Sequence, residues 1–388
     1  MDDRAESLRL TYATTDDPMN VRARSGSVYH VARALEAQGT AIEYLGELAK
    51  YQVFANRAIN KLSKISRFGE LFPVERTERM AELFAHRIRD HLMTGRSDMV
   101  FAPSSIPVAR LKTSQPKVFY TDATFAGILA AGDPTYRKYP RRYLSEGHAL
   151  EQAALSNCDL AIYASQWSAR TAKEYYEVNE RKIRVVPFGA NLSSVPSAEE
   201  VARLLANRSD RVCELLFIGV NWINKGGPKA LEIARLLNKR GIRTRLHVVG
   251  CDPQGNDLPD WVVSHGFITK ATKEGHAKLA TLIAASHFLL LPTLADCFGL
   301  VLCEANAFGV PSLANDVGGV GEVVKPDVNG CLFAADAPAG SWADRVGELF
   351  TDRTAYLAMA DRSRAEFETR LNWVVAGNAL RRHLDELV

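Results

Sequence analysis

Residues 291–305 read LPTLADCFGLVLCEA. An apolar run ends, one carboxylate follows at Asp296, and a second stands at Glu304 beyond Phe298-Gly299-Leu300. The eight-residue offset sets both acids near the start of one helix without putting them on adjacent turns, so a small polar ligand can sit between two hydrogen-bond acceptors. Two further stretches carry complementary chemistry. DDPMNVRARSGSVYHVARALE opens a helix at Ser25-Gly26-Ser27 beside Arg24, and VNWINKGGPKALE opens another beside Asn221 and Lys225. A helix N-terminus presents unpaired amides and the positive end of a dipole, so with a cation alongside it suits an anion such as a diphosphate.

These stretches need elements to position them. LRLTYAT, DMVFAP, KVFYTD, DLAIYAS and IRVVPFG read as strands in the first half, with VYHVARALEAQG and ALEQAALSNC helical between them. The second half repeats the scheme with ELLFIG, RLHVVG, WVVSHGF, HFLLLPT, VPSLAN and CLFAA, separated by PKALEIARLLNKRG, HAKLATLIAAS and GLVLCEANAFG. Alternating buried strands and helices predict a parallel sheet covered on both faces, and the repetition predicts two such α/β domains joined near Pro187 to Ser197. Doubly wound sheets bind ligands beyond the carboxyl ends of their strands, which is where the three stretches fall. LNWVVAGNALRRHLDELV is an amphipathic helix after both sheets are complete.

Composition narrows the function classes. With 388 residues, 47% hydrophobic and 24% charged, the chain is ordinary globular protein of two-domain length. The net charge of +3 is too small to mark a nucleic-acid binder. Its distribution is uneven: residues 1–190 hold 27 Lys+Arg against 22 Asp+Glu, the remainder 21 against 23. Six scattered cysteines lack the paired spacing of a zinc or redox site and read as reduced core residues of a cytosolic protein. No apolar run approaches the roughly 20 residues of a spanning helix, and no cluster of His, Asp and Glu has metal-ligand spacing.

The acid pair, followed by EANAFGVPSLANDVGGVGEVV and NGCLF, with FIGVNWINKGG upstream and NCDLAIYASQWS before the linker, resembles the retaining glycosyltransferases of family 4 (group 1). The similarity runs from the Gly26 loop to the closing helix and is densest over residues 215–333. It implies the GT-B fold, two facing Rossmann-like domains with an interdomain active-site cleft: an acceptor-side domain at 1–190, a donor-binding domain at 191–370, and a helix at 371–388 packing back toward the first domain. The implied reaction moves a sugar from a nucleotide diphosphate sugar to a hydroxyl acceptor by a front-face mechanism that needs neither metal nor cofactor. The metal signature of the other major glycosyltransferase fold, Asp-x-Asp, is absent.

The resemblance also implies roles. Glu304 takes the two ribose hydroxyls of the nucleotide, and Asp296, where the family usually carries the longer Glu, lies near the donor sugar. The amides of Phe298, Gly299 and Leu300 point at phosphate or sugar oxygens. Lys225 is the diphosphate lysine, favouring charge that grows on the leaving group. Backbone groups around Gly266, Phe267 and Ile268 pack the base, which leaves uridine, guanosine and adenosine donors open. Val220 stands where the family commonly carries an arginine, and Arg24 beside Gly26 is the candidate replacement. Asp122 stands where the family often has a histidine; a carboxylate can accept a sugar hydroxyl or face a cationic anomeric centre, but it cannot donate as an imidazole does. His30 reads as a helix-face residue. Two alternatives stay open: a phosphorylase using inorganic phosphate on the same fold and cleft, and, because Val220, Asp122 and Asp296 all depart from the pattern, a catalytically silent module that binds nucleotide sugars.

The basic first half is the acceptor side. Residues 50–96 hold 10 Lys+Arg against 5 Asp+Glu. YQVFANRAINKLSKISRFGELF spaces Val53, Ile59, Leu62, Ile65 and Phe68 roughly helically, with Arg57, Lys61, Lys64 and Arg67 interleaved. Such a segment can lie on an anionic membrane and collect a lipid-linked or phosphorylated acceptor, or pack on its own domain with a solvated basic face. The tyrosine-rich basic loop TYRKYPRRY at 135–143 offers a second acceptor contact. Localisation is then cytoplasmic, with peripheral contact at the inner membrane face.

Overall fold

The computed structural model describes residues 8–65, 73, 75–132, 139–253 and 258–388. The chain forms two compact units, Met1–Pro187 with Trp373–Val388, and Phe188–Asn372.

The first unit runs β1 (Arg9–Ala13), α1 (Ser27–Glu36), β2 (Ala41–Leu45), α2 (Lys50–Ile65), α3 (Glu78–Thr94), β3 (Met99–Ala102), β4 (Lys117–Thr121), α4 (Phe125–Ala130), α5 (Arg141–Asn157), β5 (Leu160–Tyr163), α6 (Gln166–Tyr175) and β6 (Ile183–Val185). Its parallel sheet has the order β2-β1-β3-β4-β5-β6. β3 and β5 are buried at every residue, which is why MVFA and LAIY read as continuous apolar runs. β2 is absent from the sequence reading. It is an edge strand with no fully buried residue and Glu43 at its centre, so it carries no apolar run to detect.

The second unit runs α7 (Ala198–Asn207), β7 (Cys213–Ile218), α8 (Gly227–Lys239), β8 (Thr244–Val249), β9 (Val262–Ser264), α9 (Lys273–Ala285), β10 (Phe288–Leu291), α10 (Leu300–Ala307), β11 (Ser312–Asn315), α11 (Val320–Val323), β12 (Gly330–Phe333), α12 (Ala339–Thr351) and α13 (Arg353–Thr369). The sheet order β12-β11-β10-β7-β8-β9 is that of a dinucleotide-type doubly wound sheet, and its strand order reverses between β7 and β10. Arg208 ties this unit together from a buried position. It donates to the carbonyls of Ala284, Phe308 and Gly309 and to the Tyr356 hydroxyl, satisfying acceptors at the ends of α9 and α10.

The chain begins and ends this unit side by side, with the Ala190 N–H donating to Leu371 O. The next residues form α14 (Trp373–Asp385), which packs on α1 of the first unit. Gly377 lies so close to Ala34 that an added Cβ would sit 2.7 Å from its carbonyl oxygen, Arg381 donates to Gln38 O, and Trp373 stacks on His30. His30 is thus a helix-face packing residue. Of the six cysteines, all free thiols, Cys251 and Cys297 are only half-buried and the other four lie in the cores. Among the described residues, no helix is long and apolar enough to cross a membrane.

His287, beside Tyr356, makes the second unit sensitive to acid. Its Nδ1 accepts from the Glu214 N–H and its Nε2 donates to Ser209 O, so the neutral tautomer is fixed and a second proton has no acceptor. Burial pushes its pKa down to about 4, the Ser209 hydrogen bond raising it and Arg208 lowering it further. The unfolded chain binds that proton near pH 6.5, the folded one only near pH 4, so the contribution is complete above pH 6.5 and is lost as pH falls toward 4. The loss is on the order of 3 kcal/mol. Melting of the second unit should fall over that window, and a His287→Gln variant should show a flatter profile; a wild-type profile flat from pH 7 to 4.5 would contradict it.

Candidate functional site

In the second unit the strand-order reversal sends the loops after β7 and β10 to opposite faces of the sheet, and their first residues meet where the strands end. Asn221 opens the first loop: its Oδ1 accepts from the Asn224 N–H and its carbonyl from the Lys225 N–H. Gly226 then caps α8 at φ 79°, and a Cβ there would lie 1.9 Å from Pro292 O, so the two loops touch backbone to backbone. Leu294 N–H and Thr293 Oγ1 both donate to Asn224 O. Gly219 leaves room for the Lys225 stem, whose Cγ would sit 2.7 Å from a Cβ at that position.

This packing joins two residues 71 apart in sequence: Lys225 Nζ donates to Asp296 Oδ2 at 2.7 Å, both half-buried. The other Asp296 oxygen accepts from the Phe298 N–H at 3.2 Å. Asp296 therefore precedes the helix and orders its approach, while the cap of α10 is Gly299 at φ 87°. Gly318 and Gly319 close on the same residue, the Gly319 N–H donating to Asp296 O and a Cβ on Gly318 meeting that oxygen at 1.9 Å. The Phe298 amide is committed to Asp296 and its ring is buried against Phe188, so of the three expected amides those of Gly299 and Leu300 open the helix, where no helical carbonyl faces them.

Glu304 lies one turn into α10 with 1% of its surface exposed. Its Oε1 accepts from Lys270 Nζ, and its Oε2 is buried with no hydrogen-bond partner among the described residues. Lys270 closes the segment that carries Gly266 at φ 60°, the exposed Phe267 and the half-buried Ile268. Sequence reasoning passed over Lys270; its only sequence signal is its place directly after GFIT at the end of the β9 connection. Val220 is 74% exposed.

In the first unit the reversal lies between β1 and β3, and Arg24, Ser25 and Gly26 leave β1 in three successive left-handed conformations before α1. Two of these are not glycine, an unusual concentration of backbone strain. Arg24 donates to Asp16 Oδ2 at 2.8 Å and to Glu75 Oε2 at 3.1 Å. Burial works against its charge, but Glu75, then Asp16, then Asp122 outweigh it and raise its pKa. Arg24 is thus matched by carboxylates of its own unit, and Asp122, which follows β4, lies within its field. The Asp122 carbonyl accepts from Ser168 Oγ. Sequence reasoning also missed Glu151. It is fully buried, with Oε2 accepting from Arg76 and from Ser105 after β3, and Oε1 unpartnered among the described residues.

The outward face of α2 differs from the expected one. Val53 turns into the core, while Tyr51, Phe54 and Ile59 are exposed beside Arg57 and Lys61. The side chains of Leu62, Lys64 and Ile65, together with Arg67, Phe68 and residues 135–138 of the TYRKYPRRY loop, lie outside the described residues. Among the described residues, no group of three His, Cys, Asp or Glu could hold a metal ion.

Comparison with known proteins follows this division. Residues 26–194 match the family model Glycosyltransferase Family 4, and residues 213–352 match Glycosyl transferases group 1. The chain is 26% identical to the D-inositol 3-phosphate glycosyltransferase of Corynebacterium urealyticum over 60% of its own length and 59% of the relative, and 28% identical to that of Gordonia bronchialis over 67% and 59%. The matched stretch therefore spans about three fifths of these relatives. Sucrose-phosphate synthase from Thermosynechococcus elongatus superposes with a TM-score of 0.71 at 17% identity over 98% of this chain and 99% of that one. Anabaena HepE in complex with UDP-glucose gives 0.63 at 17% identity over 98% and 100%. These likenesses show the fold to be GT-B, and the chain belongs to the group 1 glycosyltransferases of family 4.

Proposed function

We propose that this protein transfers a sugar, with retention of anomeric configuration, from a nucleotide diphosphate sugar to a hydroxyl acceptor. The observation that carries the reading is the paired geometry at the second sheet's strand ends. Lys225, aligned by Asp296, supplies a fixed ammonium for the leaving diphosphate. The Gly299 and Leu300 amides add the positive end of a helix. On α10, Glu304 keeps a buried oxygen for a ribose hydroxyl. UDP-glucose in the HepE complex supports a nucleotide-sugar donor, and the inositol phosphate transferases support a polar hydroxyl acceptor. The transfer as written needs no metal or cofactor, because lysine and amides meet the charge. A phosphorylase would leave the buried Glu304 oxygen without a ribose hydroxyl to accept, so that oxygen favours the nucleotide reading.

We place the acceptor on the first unit, near Asp122 and the strained Arg24–Gly26 turn. The outward face of α2, cationic with exposed aromatics, suits an anionic membrane at the cytoplasmic side; sedimentation with anionic against neutral vesicles reads that contact.

The first experiment is titration with uridine, guanosine, adenosine and thymidine diphosphates. One base should bind selectively, and Glu304→Ala should weaken it by roughly 30- to 100-fold, the cost of losing a buried hydrogen-bonded carboxylate. The matching nucleotide sugar should then be slowly hydrolysed with the α or β configuration of the released sugar preserved. Failure of every nucleoside diphosphate to bind would overturn the proposal.

A further inference from the structure

We propose that Lys270 is a positioning residue of the donor site: by gripping one oxygen of Glu304 it aims the other at the ribose and fastens the segment bearing Phe267 and Ile268 to α10. The inference rests on the donor reading above and deepens it.

Three observations meet at this residue. Lys270 Nζ donates to Glu304 Oε1 across 34 residues of sequence, with the lysine about one quarter exposed and the glutamate almost fully buried. A carboxylate so buried is costly to desolvate without a partner. Glu304 Oε2 has no partner among the described residues, although a buried carboxylate oxygen without one is costly. One side of the carboxylate is thus spoken for and the other is reserved, which is the asymmetry expected where a ligand hydroxyl completes the site. Thirdly, Lys270 ends the connection from β9, whose Gly250–Gly266 hydrogen bond and left-handed Gly266 set the course of Phe267 and Ile268. The ion pair therefore links the residues placed at the base to the acid placed at the sugar, so the nucleoside half of the site is assembled before the ligand arrives.

A residue acting on the nucleoside half should not affect the diphosphate half, where Lys225 and the α10 amides lie. This separates the role from general stabilisation. The test measures binding of the nucleoside diphosphate selected by the wild type, its 2′-deoxy form, and inorganic pyrophosphate. Lys270→Met should weaken the ribonucleotide about 10- to 50-fold, by losing an organised, charge-assisted contact. It should narrow the ribo-to-deoxy ratio and leave pyrophosphate within twofold. Lys270→Arg should restore most of the binding. In a Glu304→Gln background, Lys270→Met should add little further loss, since the two act through one contact.

Equal weakening of pyrophosphate and ribonucleotide, or a Lys270→Met variant that binds as the wild type does, would overturn the inference while the donor reading stands. Full additivity of the two substitutions would do the same. Should Lys270→Met fail to fold, Lys270→Arg and the Glu304→Gln pair still decide: an arginine variant that loses the ribonucleotide and pyrophosphate alike overturns the positioning role. A wild type that binds no nucleoside diphosphate overturns both readings together.

Discussion

Lys225→Met should lower the turnover of donor by 10²- to 10³-fold while changing donor KM much less. The reason lies in when its charge is needed. Breaking the bond from the anomeric carbon to phosphate places new negative charge on the leaving diphosphate, and a donor fixed beforehand stabilises that charge without reorganising. Asp296 fixes it, holding Nζ at 2.7 Å from Oδ2, and Gly219 lets the stem pass flat across the end of β7. Methionine keeps the stem and removes only the ammonium. Part of the loss will be structural, since Asp296 is left half-buried and unpaired on that side. Asp296→Asn separates the two effects: it keeps the Phe298 turn and frees the lysine from its anchor, so its loss should be smaller than that of Lys225→Met. Equal turnover in Lys225→Met and wild type would remove Lys225 from the chemistry; a loss confined to KM would make it a binding residue only.

The second large effect is on the scaffold. Gly226→Ala should destabilise the second unit by at least about 3 kcal/mol, lowering its melting temperature by roughly 10 °C, and should abolish transfer. The added Cβ would meet Pro292 O at 1.9 Å and its carbonyl carbon at 2.5 Å, both backbone atoms that cannot rotate away. The loops after β7 and β10 would have to part, and Lys225 and Asp296 part with them. Gly241 is the internal control. It has almost the same left-handed backbone, φ 83° against 79°, with nothing within 4 Å of an added methyl group, so Gly241→Ala should cost only about 1 kcal/mol. If both variants melt alike, the close approach at Pro292 is not what holds the site.

The contrast between those glycines shows what can be read from a chain and what cannot. KGG and RG both announce a turn. Only the strand order of the second sheet brings the first of them against another loop.

Local pattern determined a great deal. Apolar-rich runs bounded by glycine and polar turns located eleven of the strands, most plainly β3, β5 and β10, which are buried at every residue and apolar throughout. Repetition of the alternation set the α/β class and the number of sheets. The density of motif over residues 215–333 pointed to the family, and Lys225, Asp296 and Glu304 were legible because ligand chemistry in such sheets gathers just past the strand ends. The tertiary structure decided the pairings. Lys225 with Asp296, Lys270 with Glu304 and Arg24 with Glu75 join residues 71, 34 and 51 apart. Periodicity reports which way a side chain faces, not which distant side chain it meets, and that depends on the order in which strands are laid into the sheet. The edge strand β2 was hidden because AIEYL, with Glu43 at its centre and no fully buried residue, offers no apolar run, whereas the edge strands β6 and β9 carry IRVV and WVV.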